Sequence, residues 1–363
     1  MPANAWFIYS LGSGWGHLNR ALALARVVAV HRPVHLLTNS PYAERIASRV
    51  QNNHLTLHRL SLPTQSPTSL SNAKRAIQLK LEAFDYDCLI VDTFPRGLIG
   101  ELADVLPHKQ EICRVLVHRD LTPKYVSSKD LASFVREHYD GILVPGEPDV
   151  PFINFPQATL TAPWLSRNAT DLVTVPLPRW HIPNRQPLIV VCATGQPNEL
   201  DFFGQITHQL SVEFPDAAFK CLSATCPTTC SPALWLSHWP GMDVLQFAQG
   251  VVGGGGYNLV HECAALGVPL IAFALPRRYD QQARRIQQYG RLVTSVEEVI
   301  AAVHGLLRAK SAKRAKGEKK GCKAADKVGL DRVRFSYVNG VTAAIAQIEA
   351  LVDSKNCSKQ QAQ

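Results

Sequence analysis

The chain has 363 residues, of which 46% are apolar and 18% are charged. This composition excludes an intrinsically disordered chain, and the length suits two globular domains better than one. No apolar run reaches the roughly 20 residues that a transmembrane helix requires, so we expect a protein that is soluble or peripheral on a membrane.

Most of the formal net charge of +9 comes from one segment. Between Lys310 and Lys327 there are eight Lys or Arg residues, two acidic residues and no aromatic residue. Nucleic acid is usually bound by basic residues interleaved with aromatic ones, so a nucleic-acid partner is not expected. Two interpretations remain, a solvated and flexible segment over 308–330 or an electrostatic contact with an anionic membrane surface.

Nine cysteines occur at irregular spacing, and no secretory signal precedes them. This pattern is typical of a reducing compartment, so we expect a cytoplasmic protein, either free or peripheral on the inner face of the membrane. Cys221, Cys226 and Cys230 lie close together, but without a CxxC pair or a second cluster they do not indicate a metal site.

In the first half of the chain, short β-rich apolar runs alternate with amphipathic stretches, which is typical of βαβ units on a parallel sheet. Strands are predicted at 6–10, 34–38, 55–60, 88–92, 114–118 and 141–144, and helices at 19–30, 41–50, 72–84, 98–105 and 128–138. The aperiodic stretch 61–71, with its prolines and hydroxyl side chains, predicts a loop.

A proline-spaced stretch separates this half from a second alternation of the same kind. Strands are predicted there at 188–193, 218–222, 251–253 and 269–273, and helices at 200–213, 258–266, 280–288, 296–307 and about 338–352. The predicted fold class is α/β, with an N-terminal Rossmann-like domain (1–165), a linker (166–186), a C-terminal Rossmann-like domain (187–307), the basic segment (308–330) and a C-terminal helix and tail (331–363). Ligands bind beyond the carboxyl ends of such strands, so we expect two domains that face each other across a cleft.

A glycine-rich turn with Gly12, Gly14 and Gly16 follows the first predicted strand and leads through His17 into a helix. Glycines allow positive φ and close approach of a ligand, and a helix start offers N–H groups and partial positive charge. The spacing is not GxGxxG, and no acidic residue ends the second strand, so a dinucleotide is not expected. A histidine held at such a turn suits a general base, which makes His17 the candidate catalytic residue; the alternative is a structural histidine.

A second turn carries four consecutive glycines, ending at Gly256, and precedes a helix. Its N–H groups and the helix dipole predict a pocket for a diphosphate that needs no Mg²⁺. Glu262 follows on that helix, where a carboxylate could accept both hydroxyls of a ribose; the alternative is a plain exposed helix charge. Further on, Asp280 is predicted as a helix N-cap, and together with Gln281 and Gln282 it could hold sugar hydroxyls.

On these motifs, both halves of the chain resemble the GT-B glycosyltransferases, in particular the N-acetylglucosaminyltransferases that glycosylate the peptidoglycan lipid intermediate. The resemblance covers most of 6–307, although its specific motifs occupy only a small part of it. It implies transfer from a UDP-sugar, a UDP-N-acetylhexosamine being one option, without a metal or bound cofactor. The acceptor would bind the first domain and the donor the second. The implied donor-binding residues include Gly255, Gly256, Tyr257 and Asn258. Within the donor site, the helix start at Gly256 would bind the diphosphate, Glu262 the ribose, and Asp280, Gln281 and Gln282 the sugar.

Two features depart from the family pattern. The first turn of the second domain has Gly195 and Gln196 where the family usually has two glycines, so their contact with the diphosphate is expected to be weaker. On the acceptor side we expect Gly14, Gly16, Arg20 and also Asp92, which ends the fourth predicted strand and matches no known lipid-binding feature. The acceptor itself stays open.

Other functions of the same fold stay open as well. Nucleotide-sugar hydrolases also have an Arg three residues after the His, as His17 and Arg20 do here, and water would then replace the acceptor. A non-hydrolysing sugar epimerase and a non-catalytic nucleotide-sugar sensor are further alternatives. Asp85 and Asp87 have the DxD spacing of metal-dependent transferases, but they precede the fourth strand, whose opposite end is expected to carry the site.

Overall fold

The computed structural model describes residues 5–12, 14–47, 50, 53–61, 67–172, 180, 182, 186–318 and 336–362. The chain divides into two compact units. The first unit comprises Met1–Ser166, Arg277–Gln281 and Val338–Gln363, and the second comprises Arg167–Pro276 and Gln282–Tyr337. Neither unit is therefore one continuous stretch of the sequence, because Arg277–Gln281 and Val338–Gln363 belong to the first unit.

The first unit is built on a seven-stranded parallel sheet with the strand order β3-β2-β1-β4-β5-β6-β7. The strands are β1 (Trp6–Ser10), β2 (Val34–Thr38), β3 (Leu55–Arg59), β4 (Cys88–Asp92), β5 (Cys113–Val117), β6 (Gly141–Pro145) and β7 (Ala158–Thr161). The central strands β1, β4, β5 and β6 are buried along their whole length because helices cover both faces of the sheet. The helices in this part of the chain are α1 (Trp15–Val28), α2 (Ala43–Ala47), α3 (Pro67–Glu82), α4 (Leu102–Val105), α5 (Pro123–Ser128) and α6 (Leu131–His138).

The second unit contains a six-stranded parallel sheet with the order β10-β9-β8-β11-β12-β13. Its strands are β8 (Leu188–Cys192), β9 (Ala218–Leu222), β10 (Trp235–Leu236), β11 (Gly250–Gly254), β12 (Leu270–Phe273) and β13 (Arg291–Val293). The helices are α7 (Pro197–Glu213), α8 (Met242–Leu245), α9 (Tyr257–Leu266), α10 (Gln282–Tyr289) and α11 (Val296–Glu318). Two parallel α/β sheets are thus present, as the sequence predicts.

Several helix boundaries differ from the predicted ones. Helix α3 begins at Pro67, inside the predicted loop 61–71, since proline is well tolerated in a first helical turn. Helix α11 continues to Glu318, so the first part of the segment predicted to be flexible is helical; Ala, Lys and Arg are strong helix formers even without an apolar period. The rest of that basic segment lies outside the described residues.

The chain ends in α12 (Val341–Ala362), which packs on α1 and on the edge formed by β5, β6 and β7. The approach is close, because a Cβ atom on Gly141 would lie 2.5 Å from Leu351 Cδ1. Lys355 Nζ lies 2.7 Å from Asp140 Oδ1, and Asp140 also pairs with Arg114 at 3.1 Å. The predicted C-terminal helix is therefore an integral part of the first unit.

Each sheet has one point where the strand order reverses, between β1 and β4 in the first unit and between β8 and β11 in the second. The connections on the two sides of such a point leave in opposite directions and open a crevice at the carboxyl ends of the strands. The two glycine-rich turns follow β1 and β11, so both lie at these positions.

Candidate active site

In the first unit, His17 and Asp92 meet at the reversal point between β1 and β4. His17 is the third residue of α1, and Asp92 is the last residue of β4. His17 Nδ1 lies 2.6 Å from Asp92 Oδ2. The His17 side chain is 19% exposed and that of Asp92 only 4%, so the pair presents the imidazole to solvent and keeps the carboxylate inside.

Arg20 holds the other oxygen of the same carboxylate. Its Nε and Nη2 donate to Asp92 Oδ1 at 2.8 and 2.5 Å, and Nη2 also donates to Thr93 Oγ1 at 2.9 Å. The Arg20 side chain is 1% exposed. Arg20, expected on the acceptor side, is therefore buried beneath the site, where it supports Asp92.

The charge state of Asp92 determines which His17 nitrogen carries the proton. Burial raises the pKa of the Asp92 carboxyl, but the charges of Arg20 and His17 and their hydrogen bonds lower it by more, so the pKa lies well below its usual range. An ionised carboxylate only accepts hydrogen bonds, so Nδ1 of His17 must donate. The neutral imidazole then has its lone pair on Nε2, the atom that can accept a proton from a ligand.

Gly12 of the first turn is needed to make room for the His17 ring, not to adopt a special backbone conformation. A Cβ atom on Gly12 would lie 2.1 Å from Cδ2 of His17, so the imidazole occupies the place of a side chain. Contrary to expectation, Gly12, Gly14 and Gly16 have no positive φ. Gly14 is the N-cap of α1 in an extended conformation, which residues other than glycine also adopt.

The loop after β4 contacts this pair and is tied to the core by hydrogen bonds. Thr93 has φ 72°, a strained conformation for a β-branched residue. Tyr9 donates a hydrogen bond to Glu101, and the backbone N–H of Leu98 donates to the Tyr9 hydroxyl at 2.8 Å. Phe94 stacks on the His17 ring with centroids 5.7 Å apart.

In the second unit, the second glycine turn leads from β11 into α9. Gly256 is the N-cap of α9, no side-chain hydrogen bond caps this helix start, and the space around Gly256 is open. A Cβ atom on Gly255 would lie 2.4 Å from Ile286 Cδ1, so glycine is needed there for packing. The buried Arg285 donates from Nη1 to the Gly255 carbonyl at 3.1 Å. An uncapped helix start with open space at Gly256, beside a buried cation, suits an anionic ligand.

Gly195 and Gln196 form the turn after β8, the neighbour of β11. Gly195 has φ 120°, which only glycine adopts readily. Gln196 forms a capping box with Glu199 at the start of α7, and its N–H donates to Glu199 Oε2 at 2.9 Å. Because Cys192 pairs in register with Gly253, the starts of α7 and α9 lie at the same edge of the sheet.

Glu262 is buried, being 6% exposed, so the alternative of an exposed helix charge is wrong. Tyr257 on the same helix is buried and Asn258 is partly buried. A Cβ atom on Gly241 would lie 3.8 Å from Glu262 Oε2, so the carboxylate points toward the start of α8.

The three residues expected at the donor sugar are divided between the two units: Asp280 and Gln281 belong to the first and Gln282 to the second. Asp280 forms a β-bridge with Leu121, and α10 starts only at Gln282, so the predicted N-cap is wrong. Asp280 Oδ1 lies 3.6 Å from Arg119 Nη2, and Gln281 Nε2 donates to Asp120 Oδ1 at 2.7 Å, both within the first unit. Gln282 belongs to the second unit, where its Oε1 accepts from Leu275 N–H at 3.0 Å.

Among the described residues, no group of three or more His, Cys, Asp or Glu side chains could hold a metal ion. Asp85 and Asp87 precede β4, at the end of the strand away from Asp92. None of the helices in the described part of the chain combines the length and apolar character needed to span a bilayer.

The overall fold is similar to several solved structures over nearly its full length. The calicheamicin glycosyltransferase CalG4 is 16% identical, has a TM-score of 0.58 and covers 98% of this chain and 99% of its own. LpCGTa, solved in complex with UDP, is 16% identical with a TM-score of 0.55, covering 96% and 100%. A "putative UDP-N-acetylglucosamine 2-epimerase" from Listeria monocytogenes is 13% identical with a TM-score of 0.59, covering 98% of each chain.

No protein-family model matches the sequence, and no curated protein does. The parallel sheets and the full-length similarity identify the fold as GT-B, which confirms the fold class expected from the sequence.

Proposed function

We propose that the chain is a metal-independent glycosyltransferase that moves a sugar from a UDP-sugar to a hydroxyl acceptor. The observation that supports this most strongly is the His17–Asp92 pair, with Nδ1 of the histidine fixed at 2.6 Å from a carboxylate that Arg20 keeps ionised. A histidine oriented in this way suits a general base. The full-length similarity to glycosyltransferases supports the same reaction class.

In the proposed reaction, His17 Nε2 takes the proton of the acceptor hydroxyl. The acceptor oxygen forms a bond to the anomeric carbon, while the bond from that carbon to the diphosphate oxygen breaks and UDP leaves with the electron pair. Asp92 stabilises the imidazolium that forms. The N–H groups at the starts of α7 and α9 would stabilise the charge on the diphosphate.

For the donor, we propose that Gly255, Gly256, Tyr257 and Asn258 hold the diphosphate, with Gly195 and Gln196 adding a weaker contact. Glu262 would bind the ribose. Asp280, Gln281 and Gln282 stay predictions for the donor sugar, and Asp280 and Gln281 would exchange their bonds with Arg119 and Asp120 for bonds with the sugar.

Chelation is expected to leave activity unchanged. The diphosphate charge would be neutralised by helix starts and by the buried Arg285 rather than by a metal ion. The measurement is UDP release during transfer after dialysis against EDTA, with and without added Mn²⁺. Loss of activity in EDTA with recovery in Mn²⁺ would contradict this expectation.

Replacing Glu262 with Gln is expected to weaken UDP binding by about 1–1.5 kcal/mol, the difference between a hydrogen bond to a charged group and one to a neutral group, because the Gln amide oxygen can still accept a hydrogen bond. Calorimetric titration with UDP measures this, and Glu213→Gln, an exposed change on α7, is the control. Because Glu262 is buried, Glu262→Ala is expected to lower thermal stability as well, so the isosteric variant is the better probe. An unchanged UDP affinity in Glu262→Gln would assign the carboxylate a structural role.

The proposed function is tested by incubating the protein with a panel of UDP-sugars, with and without hydroxyl acceptors. Transfer predicts equal amounts of glycosylated product and UDP, formed only when an acceptor is present. UDP and free sugar without an acceptor would identify a hydrolase instead. A changed donor without UDP release would identify an epimerase, and binding without turnover a sensor.

A cytoplasmic location and a contact with an anionic membrane surface stay predictions. The location is inferred from the cysteine pattern, and the membrane contact depends on the basic segment 308–330, of which 319–330 lie outside the described residues. Cosedimentation with vesicles containing phosphatidylserine, compared with phosphatidylcholine vesicles, would test the contact.

A further inference from the structure

An aromatic cluster borders His17 in the first unit. Phe94, which stacks on His17, meets Tyr125 at a centroid distance of 6.4 Å and Tyr279 at 5.9 Å, in both cases edge to face. Tyr125 and Tyr279 pack on each other with centroids 4.3 Å apart. Phe94 is buried, whereas both tyrosines keep part of their surface in solvent. The accessible wall of the cluster is therefore made by Tyr125 and Tyr279.

Two arginines follow or precede members of this cluster in the chain, Arg96 two residues after Phe94 and Arg278 directly before Tyr279, and neither has a carboxylate partner within the described part of the chain. Arg96 is half-buried, its guanidinium carbon lies 4.4 Å from the ring centroid of Phe134, and its buried Nε makes no hydrogen bond to any described residue. Arg278 is exposed and lies 5.2 Å over the ring of Tyr279. Both charges act on Tyr125: burial raises the pKa of its hydroxyl, and Tyr279 and the buried Glu101 carboxylate add to this, whereas Arg278 and, least of all, Arg96 oppose the increase.

These residues define what a ligand beside His17 must offer. A flat apolar ring gains most from a wall of two tyrosine rings. A half-buried guanidinium without a carboxylate favours an anionic ligand, and its planar fork matches a carboxylate. A neutral sugar would leave both guanidinium groups without an anion, and the wall offers its many hydroxyls only two phenol groups.

We propose that the acceptor is a planar aromatic hydroxy acid, whose ring packs on Tyr125 and Tyr279 and whose carboxylate binds Arg96. The exposed Arg278, which lies over the Tyr279 ring, would add to the electrostatic attraction for the carboxylate. The acceptor hydroxyl would lie at Nε2 of His17, so the inference rests on the proposed function for the identity of the base. Beyond the proposed function, this inference specifies the chemical class of the acceptor.

The test is calorimetric titration of the full-length protein, without donor, with 4-hydroxybenzoate, the neutral analogue 4-hydroxybenzamide, and glucuronate. We expect 4-hydroxybenzoate to bind about tenfold to a hundredfold more tightly than the amide, as for a charge-assisted hydrogen bond. Arg96→Gln should remove this preference. The matched control is Arg136→Gln, because Arg136 is also an arginine over a phenylalanine, 4.8 Å from the Phe155 ring, and should keep the preference. Tyr125→Leu should weaken both aromatic ligands by about threefold to tenfold.

Equal binding of the acid and the amide by the wild type would overturn the proposal, as would a preference that survives in Arg96→Gln. Tighter binding of glucuronate than of 4-hydroxybenzoate would also overturn it. If Arg96→Gln does not fold, Arg96→Lys retains the charge without the planar fork and should reduce the preference. Because no donor is present, absence of sugar transfer would refute the proposed function and leave these binding results valid.

Discussion

Replacing His17 with Asn is expected to lower the rate of sugar transfer by about 10²- to 10⁴-fold, the usual contribution of a general base. The Asn amide can still donate to Asp92, so the buried carboxylate keeps a partner, but no atom can take the acceptor proton. UDP-sugar affinity should stay within about threefold, because His17 lies in the first unit and the proposed UDP-binding residues lie in the second. Single-turnover rates and calorimetric titration of UDP measure the two effects separately.

The matched control for this change is His31→Asn, an exposed histidine after α1, which should retain full activity. If His17 only braced the glycine turn, His17→Asn would lower the melting temperature and leave the rate per folded molecule nearly unchanged. Hydrolysis without an acceptor should decline in parallel with transfer if the wild type activates water at the same nitrogen.

Replacing Asp92 with Asn is expected to reduce transfer by about 10²- to 10⁴-fold and to destabilise the fold by about 3–5 kcal/mol. Two causes act together: His17 loses the carboxylate that orients Nδ1–H, and Arg20, 1% exposed, is left as a buried charge without its counter-ion. Chemical unfolding and transfer assays measure the two losses.

A second substitution separates these two causes. Arg20→Met added to Asp92→Asn removes the unpaired charge and should restore much of the stability, while transfer stays low because His17 still lacks its carboxylate. Recovery of transfer in the double variant would mean that Asp92 acts only through folding.

The pH dependence of the unfolding free energy provides an independent test of the Arg20–Asp92 ion pair. The folded-state pKa of Asp92 is depressed, so its contribution to stability is complete above the ordinary carboxyl pKa of about 4 and is lost as the pH falls further. The difference in unfolding free energy between wild type and Asp92→Asn should therefore shrink as the pH falls below about 4. A constant difference down to pH 2 would contradict the ionised state of Asp92.

The sheets could be predicted from sequence because parallel strands buried on both faces are continuous apolar runs, as in β1, β4 and β8. The strands that were missed lack this signal. β7 has the sequence Ala-Thr-Leu-Thr and lies at the edge of its sheet, and β10 and β13 have two and three residues. Their pairing depends on neighbours that are distant in sequence.

For the site, the glycine turn made His17 a candidate, and the end of a predicted strand made Asp92 one. That these two residues form a pair could not be predicted, since they are 75 positions apart and only the order of β1 and β4 brings them together. The burial of Arg20 and Glu262 was missed because a charged residue on a helix carries no sequence signal of what covers it. Arg285 at the second glycine turn was missed for the same reason.

The place of α12 in the first unit has a consequence for synthesis of the protein. A ribosome makes β1 to β7 before α12, so the surface on α1 and β5 that α12 covers stays bare until α12 emerges. By then all residues of the second unit have been made and can fold. The unit whose strands are made first is thus completed only after the second unit has been made, so its fold depends on a segment that is distant in sequence.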